Sequence, residues 1–371
     1  MIYLDNAATT VKKPAQVAKA MGYALAHYAN PGRGGHAAAV RADQAVYSVR
    51  KLAGKLFDCS PERVCFTMNA THGINIALRS ILSAGDKVVI SGLEHNAVTR
   101  TLHSIGTDTE VVRAPLFSPE QWADGFRKAV THSVKAVVCT HVSNVFGAVL
   151  PMDEIAALCR QHAVPLVVDA SQSAGVLPVS MDRWKAAFIA MPGHKGLLGP
   201  QGTGLLLAGQ LPEPLLCGGT GSSSLDQNMP LELPDRVEAG TLNVPGICGL
   251  GAALQFLLSD EKRKTGQWET TALRRCAEKL TQLGAEVYYG PGLIGALSFN
   301  IPGADPEEAC MEYARRGVAL RAGLHCAPLA HETAGTLPNG TVRLSVSGMT
   351  TAEEIRKFLE ISMELIRKKK V

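Results

Sequence analysis

Lys195 sits in the stretch Met191-Pro-Gly-His-Lys-Gly-Leu-Leu-Gly-Pro-Gln-Gly-Thr-Gly204. The hydrophobic segment Ala186-Ala-Phe-Ile-Ala-Met191 delivers it to a turn. Glycines crowd both sides, which suits a backbone that must pass close to a ligand. Upstream, Val164-Pro-Leu-Val-Val-Asp169 is a short apolar run that ends in one carboxylate. A lysine and an aspartate delivered in this way point to pyridoxal phosphate. The amine would form a Schiff base, and the aspartate would keep the pyridinium nitrogen protonated so that the ring can store electrons. Taken singly, a surface lysine or a helix-capping aspartate explains either residue. The companions decide.

The stretch Asn69-Ala-Thr-His-Gly-Ile-Asn75 follows an expected strand and opens a helix. The amides around Ala70 and the Thr71 hydroxyl suit an anion at a helix N-terminus, although Thr71 would serve equally as an N-cap. In Leu93-Glu-His-Asn96, His95 suits stacking on a planar ring or moving a proton. In His141-Val-Ser-Asn144, Asn144 can donate to a ligand oxygen or close an Asx turn. Gln172 lies one short turn beyond Asp169. The stretch Arg321-Ala-Gly-Leu-His-Cys-Ala-Pro328 sets Cys326 beside His325 and Arg321, and neighbouring cations would lower its pKa and expose the thiolate. A buried inert cysteine is the alternative. No further ligands stand at zinc spacing. Arg343, in Thr341-Val-Arg-Leu-Ser345, suits two-pronged binding of a substrate carboxylate. Gly199-Pro-Gln-Gly-Thr-Gly204 has the wrong spacing for a nucleotide loop and lacks its lysine.

These residues need elements to position them. Expected strands at 64–67, 87–90, 110–112, 135–140, 166–168, 187–190 and 204–207 alternate with amphipathic helices. Such alternation implies crossover connections and a mainly parallel seven-stranded α/β sheet between helices. Ligands of such sheets sit beyond the carboxyl ends of the strands, where the candidates from Ala70 to Lys195 fall. After residue 207 the pattern changes to loops, then to helices near 246–260 and 267–283, then to short strands and helices. This reads as a smaller C-terminal α/β domain. The expected division is 1–30 packing with the small domain, 31–245 as the large domain, and 246–371 as the small domain with the helix leading into it.

Composition sets the class. The apolar fraction of 46% and charged fraction of 19% fit a globular chain with a large core. A net charge of +4 is too small to argue for nucleic acid. No apolar run reaches membrane-spanning length, and Asp5 and Asn6 interrupt any signal peptide at once. The nine cysteines are scattered without C-x-x-C pairs, so a reducing, cytoplasmic setting is expected.

Together these motifs resemble the class V aminotransferase group of fold-type I pyridoxal-phosphate enzymes, over nearly the whole chain. Within that group the chain is similar to the second-group cysteine desulfurases and selenocysteine lyases. The resemblance rests on Tyr3-Leu-Asp-Asn-Ala-Ala-Thr-Thr10, Thr71-His-Gly-Ile-Asn75, Glu94-His95, His141-Val-Ser-Asn144, Val168-Asp169, Gly193-His-Lys195, Glu238-Ala-Gly-Thr241 and Arg321-Ala-Gly-Leu-His-Cys326. It implies that Lys195 holds the cofactor and moves the Cα proton, that Asp169 pairs with the pyridinium nitrogen, that His95 stacks on the ring, and that Gln172 bonds the phenolic oxygen. Thr71, His194 and the Ala70 turn would bind the phosphate, with Thr241 arriving from a neighbouring subunit. Asn144 and Arg343 would hold the substrate carboxylate, and Arg33 and Arg321 would line the entrance. Cys326 would take sulfur from L-cysteine as a persulfide, leaving L-alanine, and a sulfur-acceptor protein would follow. The resemblance also implies a homodimer. Selenocysteine lyase and true aminotransferase are the alternatives. One departure stands out: relatives often carry Ser or Thr where this chain has Pro192, which offers neither hydroxyl nor N–H.

Overall fold

The computed structural model describes residues 1–32, 34–222 and 224–368. The chain begins with β1 (Ile2–Tyr3), α1 (Ala15–His27) and α2 (Ala37–Phe57). Then follow β2 (Val64–Thr67), α3 (Ala70–Ile81), β3 (Lys87–Ser91), α4 (Asn96–Ile105), β4 (Asp108–Val112), α5 (Pro119–Ala129), β5 (Ala136–Thr140), α6 (Met152–Gln161), β6 (Leu166–Asp169), α7 (Met181–Trp184), β7 (Phe188–Pro192) and β8 (Gly204–Ala208). The seven strands from β2 to β8 form one sheet in the order β2-β8-β7-β6-β5-β3-β4. β8 runs antiparallel to both β2 and β7, and the remaining pairs are parallel. The expected mainly parallel, seven-stranded α/β sheet is therefore present.

Sequence explains this layering. β5 and β6 are buried at every residue and read as continuous apolar runs, as strands covered on both faces must. Alternate residues feed two different cores. Val137 and Cys139 join a cluster with α2, α5, α6 and α8 (Val244–Leu257). Ala136 and Val138 join a second cluster with α3 and α4. β4, at the edge, mixes Asp108, Thr109 and Glu110 with two valines, which suits a strand with one unpaired side.

The connection from β7 to β8 has no crossover helix, because the two strands are antiparallel. It is instead the tight loop that carries Lys195. A Cβ on Gly196 would meet the Ala174 carbonyl oxygen at 2.4 Å, and one on Gly193 would meet the Thr203 hydroxyl at 2.2 Å. Only glycine lets that loop lie so close to its neighbours.

The rest of the chain comprises α9 (Asp260–Leu283), β9 (Glu286–Tyr288), β10 (Ala296–Asn300), α10 (Pro306–Arg315), β11 (Val318–Ala319), α11 (Pro328–Ala334), β12 (Val342–Ser345) and α12 (Ala352–Lys368). β12, β10 and β9 form an antiparallel sheet. A third apolar cluster joins Leu4, Leu273, Leu297, Phe299, Leu344 and Phe358. β1 pairs in parallel with β11, and Asp5 bridges to Ser345. The first residues are thus sewn to the C-terminal elements, whereas α1 packs along α8. β9 and α11 were not anticipated from sequence. Among the described residues, no helix is long and apolar enough to cross a membrane.

Candidate active site

The carboxyl ends of β3, β5, β6 and β7 meet the N-terminal segment and β12. Asp169 is the last residue of β6, where its strand neighbours are Thr140 and Ala190. Its carboxylate accepts the Ser171 N–H at 2.9 Å. Lys195 follows β7. The Thr10 N–H and hydroxyl both donate to the His194 carbonyl at 3.0 Å, and the hydroxyl also reaches the Lys195 carbonyl at 3.3 Å. Asn6, Thr10, Gln172, Lys195 and Ser347 line one small cavity, and the Gln172 side chain donates to the Ala7 carbonyl at 3.0 Å.

Lys195 is only partly covered as a residue, but its amine lies deep. Burial brings the amine down to about 8; Asp169 opposes this fall and Arg343 adds to it. An amine so tuned is a better nucleophile and proton carrier near neutrality than an exposed lysine. His95 caps α4, its Nδ1 accepting the Ala97 N–H at 3.0 Å. Burial lowers its pKa, while Asp169 acts to raise it. His194 is pushed down to about 4 by burial and by Lys195, and its Nδ1 has no protein partner among the described residues. The Ala70 and Thr71 amides open α3, whose first turn is capped by Asn69 accepting from His72 at 2.9 Å. Such a helix start can take an anionic group.

Arg343 reaches this place from β12. Its guanidinium donates to Asp5 Oδ1 at 2.8 Å and to the Asn144 carbonyl at 2.9 Å, and its Nε is unpartnered among the described residues. Burial lowers its pKa, and Asp5 opposes the fall without cancelling it. Asp5 also accepts from Arg321 Nε at 3.1 Å. Arg321 itself pairs through its backbone with Arg343 and leaves half its side chain exposed.

Cys326 is exposed, on the loop between β11 and α11. Both Cys326 (φ 57°) and His325 (φ 49°) occupy the left-handed region, which costs a non-glycine residue about 1–2 kcal/mol. Several bonds hold them there. The Asn96 N–H donates to the Cys326 carbonyl at 2.7 Å, and Asn144 Nδ2 donates to the His325 carbonyl at 2.8 Å. His325 Nε2 meets the Thr341 carbonyl at 3.0 Å. The thiol loop is therefore fastened to the residue after His95 and to the Asn144 loop.

One expectation is corrected. His325 is not a cation beside Cys326. Its ring is buried, and burial with Arg343 nearby pushes its pKa down to about 2. Thr71 and Thr241 are exposed, outside the buried group. Arg33 lies outside the described residues. Sequence reasoning gave no role to Asp5, Asn96 or Glu94. The motifs Tyr3 to Thr10 and Leu93 to Asn96 contained them, but nothing local says that Asp5 meets Arg343 across the chain.

The aminotransferase class-V family profile matches residues 2–358. The chain belongs to that family. It is 34% identical to a "Probable cysteine desulfurase" of Methanothermobacter thermautotrophicus, over 98% of this chain and 94% of the relative. It is 33% identical to a "Cysteine desulfurase" of Salmonella dublin, over 88% of this chain and 84% of that one. Among solved structures, an apo cysteine desulfurase from Thermococcus onnurineus superposes with a TM-score of 0.90 at 30% identity, covering 99% of this chain and 95% of that one.

Proposed function

We propose that this protein is a pyridoxal-phosphate-dependent cysteine desulfurase that converts L-cysteine to L-alanine and carries the sulfur away as a persulfide on Cys326. The observation that carries this reading is the exposed Cys326, whose carbonyl is bound by the N–H of Asn96, the residue after His95, while the carbonyl of its neighbour His325 is bound by Asn144. The names of the relatives agree with it.

The residues fit the cofactor. An amine of lowered proton affinity, a carboxylate at the end of a central strand, an unpaired His194 nitrogen and an open helix start are the groups that its aldehyde, ring nitrogen and phosphate require. Lys195 would hold it, Asp169 would keep a proton on its ring nitrogen, His95 would stack on the ring, and Gln172 would meet the phenolic oxygen. His194, Thr71 and the Ala70 turn would take the phosphate, joined by Thr241 of a second subunit. When bound, the cofactor supplies an electron sink for the bond-breaking at Cα.

The protein's own groups do the rest. The Arg343 guanidinium and the remaining N–H of Asn144 hold the substrate carboxylate; the family resemblance would add Arg33 and Arg321 at the entrance. Lys195 Nζ takes the Cα proton. The Cys326 thiolate attacks the substrate sulfur: an S–S bond forms, the C–S bond breaks, and its electron pair passes to carbon, which is then protonated to give alanine. Enzyme thiol and cysteine become enzyme persulfide and alanine, with no external oxidant. The same reading includes a homodimer, a cytoplasmic setting, transfer of sulfur to an acceptor protein, and the division of the chain at residues 30 and 245.

The test is a product assay on purified protein supplied with pyridoxal phosphate. Alanine from L-cysteine and a visible band support the reading. Alanine from L-selenocysteine alone moves it to selenium chemistry. A colourless protein that releases no alanine overturns it.

A further inference from the structure

Glu94 has none of the roles above, yet it is fully buried at the heart of the site. Its Oε1 accepts the Ser91 hydroxyl and, at 2.8 Å, the Thr140 N–H. Its Oε2 has no partner among the described residues. Ser91 closes β3, and its hydroxyl oxygen also accepts the Leu93 N–H at 3.2 Å, which tightens the turn that follows. Thr140 closes β5 and is the register partner of Asp169 on β6. The next residue, His95, caps α4. One carboxyl oxygen therefore joins the end of β3 to the end of β5, between the backbone that presents His95 and the backbone that presents Asp169.

We propose that Glu94 is a positioning residue for this site: its carboxyl ties the loop that carries His95 to the strand end that flanks Asp169. This rests on the roles given above to those two residues. The tie needs acceptor lone pairs and no charge. A carboxylate here would lie in apolar surroundings, with Asp169 on β6 as its charged neighbour and the buried Cys139 thiol on β5. Burial pushes Glu94 up to about 8; the Ser91 and Thr140 bonds pull against this, and Asp169 adds to it. At neutral pH this favours the uncharged acid, whose carbonyl oxygen still accepts from both donors.

The experiment compares the holoenzyme with Glu94→Gln and Glu94→Ala. The readouts are cofactor retention, the pH midpoint of the visible band, alanine release, and unfolding across pH. Loss of both accepted bonds in Glu94→Ala should weaken cofactor retention and lower kcat by about tenfold each, with a displaced midpoint of the band. Glu94→Gln should restore all three to within about threefold, because its amide oxygen accepts the same two donors. Between pH 4.5 and about 8 the folded protein holds a proton that the unfolded chain releases, so wild-type stability should fall with rising pH relative to Glu94→Gln.

An alanine variant with wild-type retention, band midpoint and rate would remove the positioning role. A glutamine variant as impaired as alanine would mean that a charged carboxylate is needed, and parallel unfolding curves would remove the uncharged acid. If wild type proves colourless and inactive, the desulfurase reading fails, while the glutamine comparison of stability against pH still judges Glu94 by itself.

Discussion

Lys195 and Cys326 are the two groups to which the proposed reaction assigns the chemistry, and the molecule treats them in opposite ways. Lys195 lies on the sheet side, on a loop pinned by glycines and by Thr10, with its amine tuned by burial. Cys326 stands exposed on a short loop with two residues in the left-handed region, held from behind by three hydrogen bonds. The difference matches the chemistry. Proton transfer at carbon needs a group whose affinity for protons has been adjusted and whose surroundings do not move. Accepting sulfur and passing it on needs a nucleophile that a second protein can reach. In the proposed reaction the sheet end would supply the first and the loop the second.

Removing each group separates the two halves. Lys195→Ala should reduce alanine formation by at least about 10³-fold, within the range of lost acid–base catalysis, and should change the visible spectrum as well. Cys326→Ala should abolish alanine release from cysteine while leaving the cofactor's band in place. A Cys326→Ala enzyme that keeps turning over cysteine would mean that the loop is not the sulfur-accepting half.

Arg343 belongs to both halves. It donates to the carbonyl of Asn144, whose side chain in turn holds the His325 carbonyl on the Cys326 loop, and it pairs with Asp5. Removing one partner of a buried pair costs about 3–5 kcal/mol. Arg343→Ala should fall at the lower end, because Asp5 retains Arg321. Denaturant unfolding measures the loss. Arg343→Lys keeps the charge but not the fork, so its KM for cysteine should rise by about tenfold while less stability is lost. Equal damage from both variants would mean that the fork, and not the charge, holds the two halves together.

The fold was legible because its signals are local. Continuous apolar runs at β5 and β6 mark strands covered on both faces, and the spacing of Ile155 and Cys159 marks α6. Lys195, Asp169 and Cys326 stand out as candidates because their residue types contrast with glycine-rich or apolar neighbours. What stayed hidden was long-range or depended on burial. Asp5 meets Arg343 across nearly the whole chain. His325 beside a cysteine reads as a cation until its ring is found enclosed against the Thr341 carbonyl. Glu94 stands in the sequence only as the neighbour of His95, and no local pattern shows that its surroundings are closed.

That burial gives the smallest and sharpest test of the contrast, because acid and alkali should weaken opposite sides. His325 is held down to about 2 against a free value of 6.5. Between these values the unfolded chain binds a proton that the folded chain does not, so the contribution of His325 is fully present above pH 6.5 and declines as pH falls. The slope is about 1.4 kcal/mol per pH unit for one group. Glu94 acts in the reverse sense above pH 4.5. His325→Gln can still donate to the Thr341 carbonyl but cannot take up a proton. Its stability measured from pH 6.5 to 5 should decline less steeply than wild type by about that slope, with the alkaline side unchanged. Parallel curves on the acid side would return a positive charge to His325 and restore it as the partner of the thiolate.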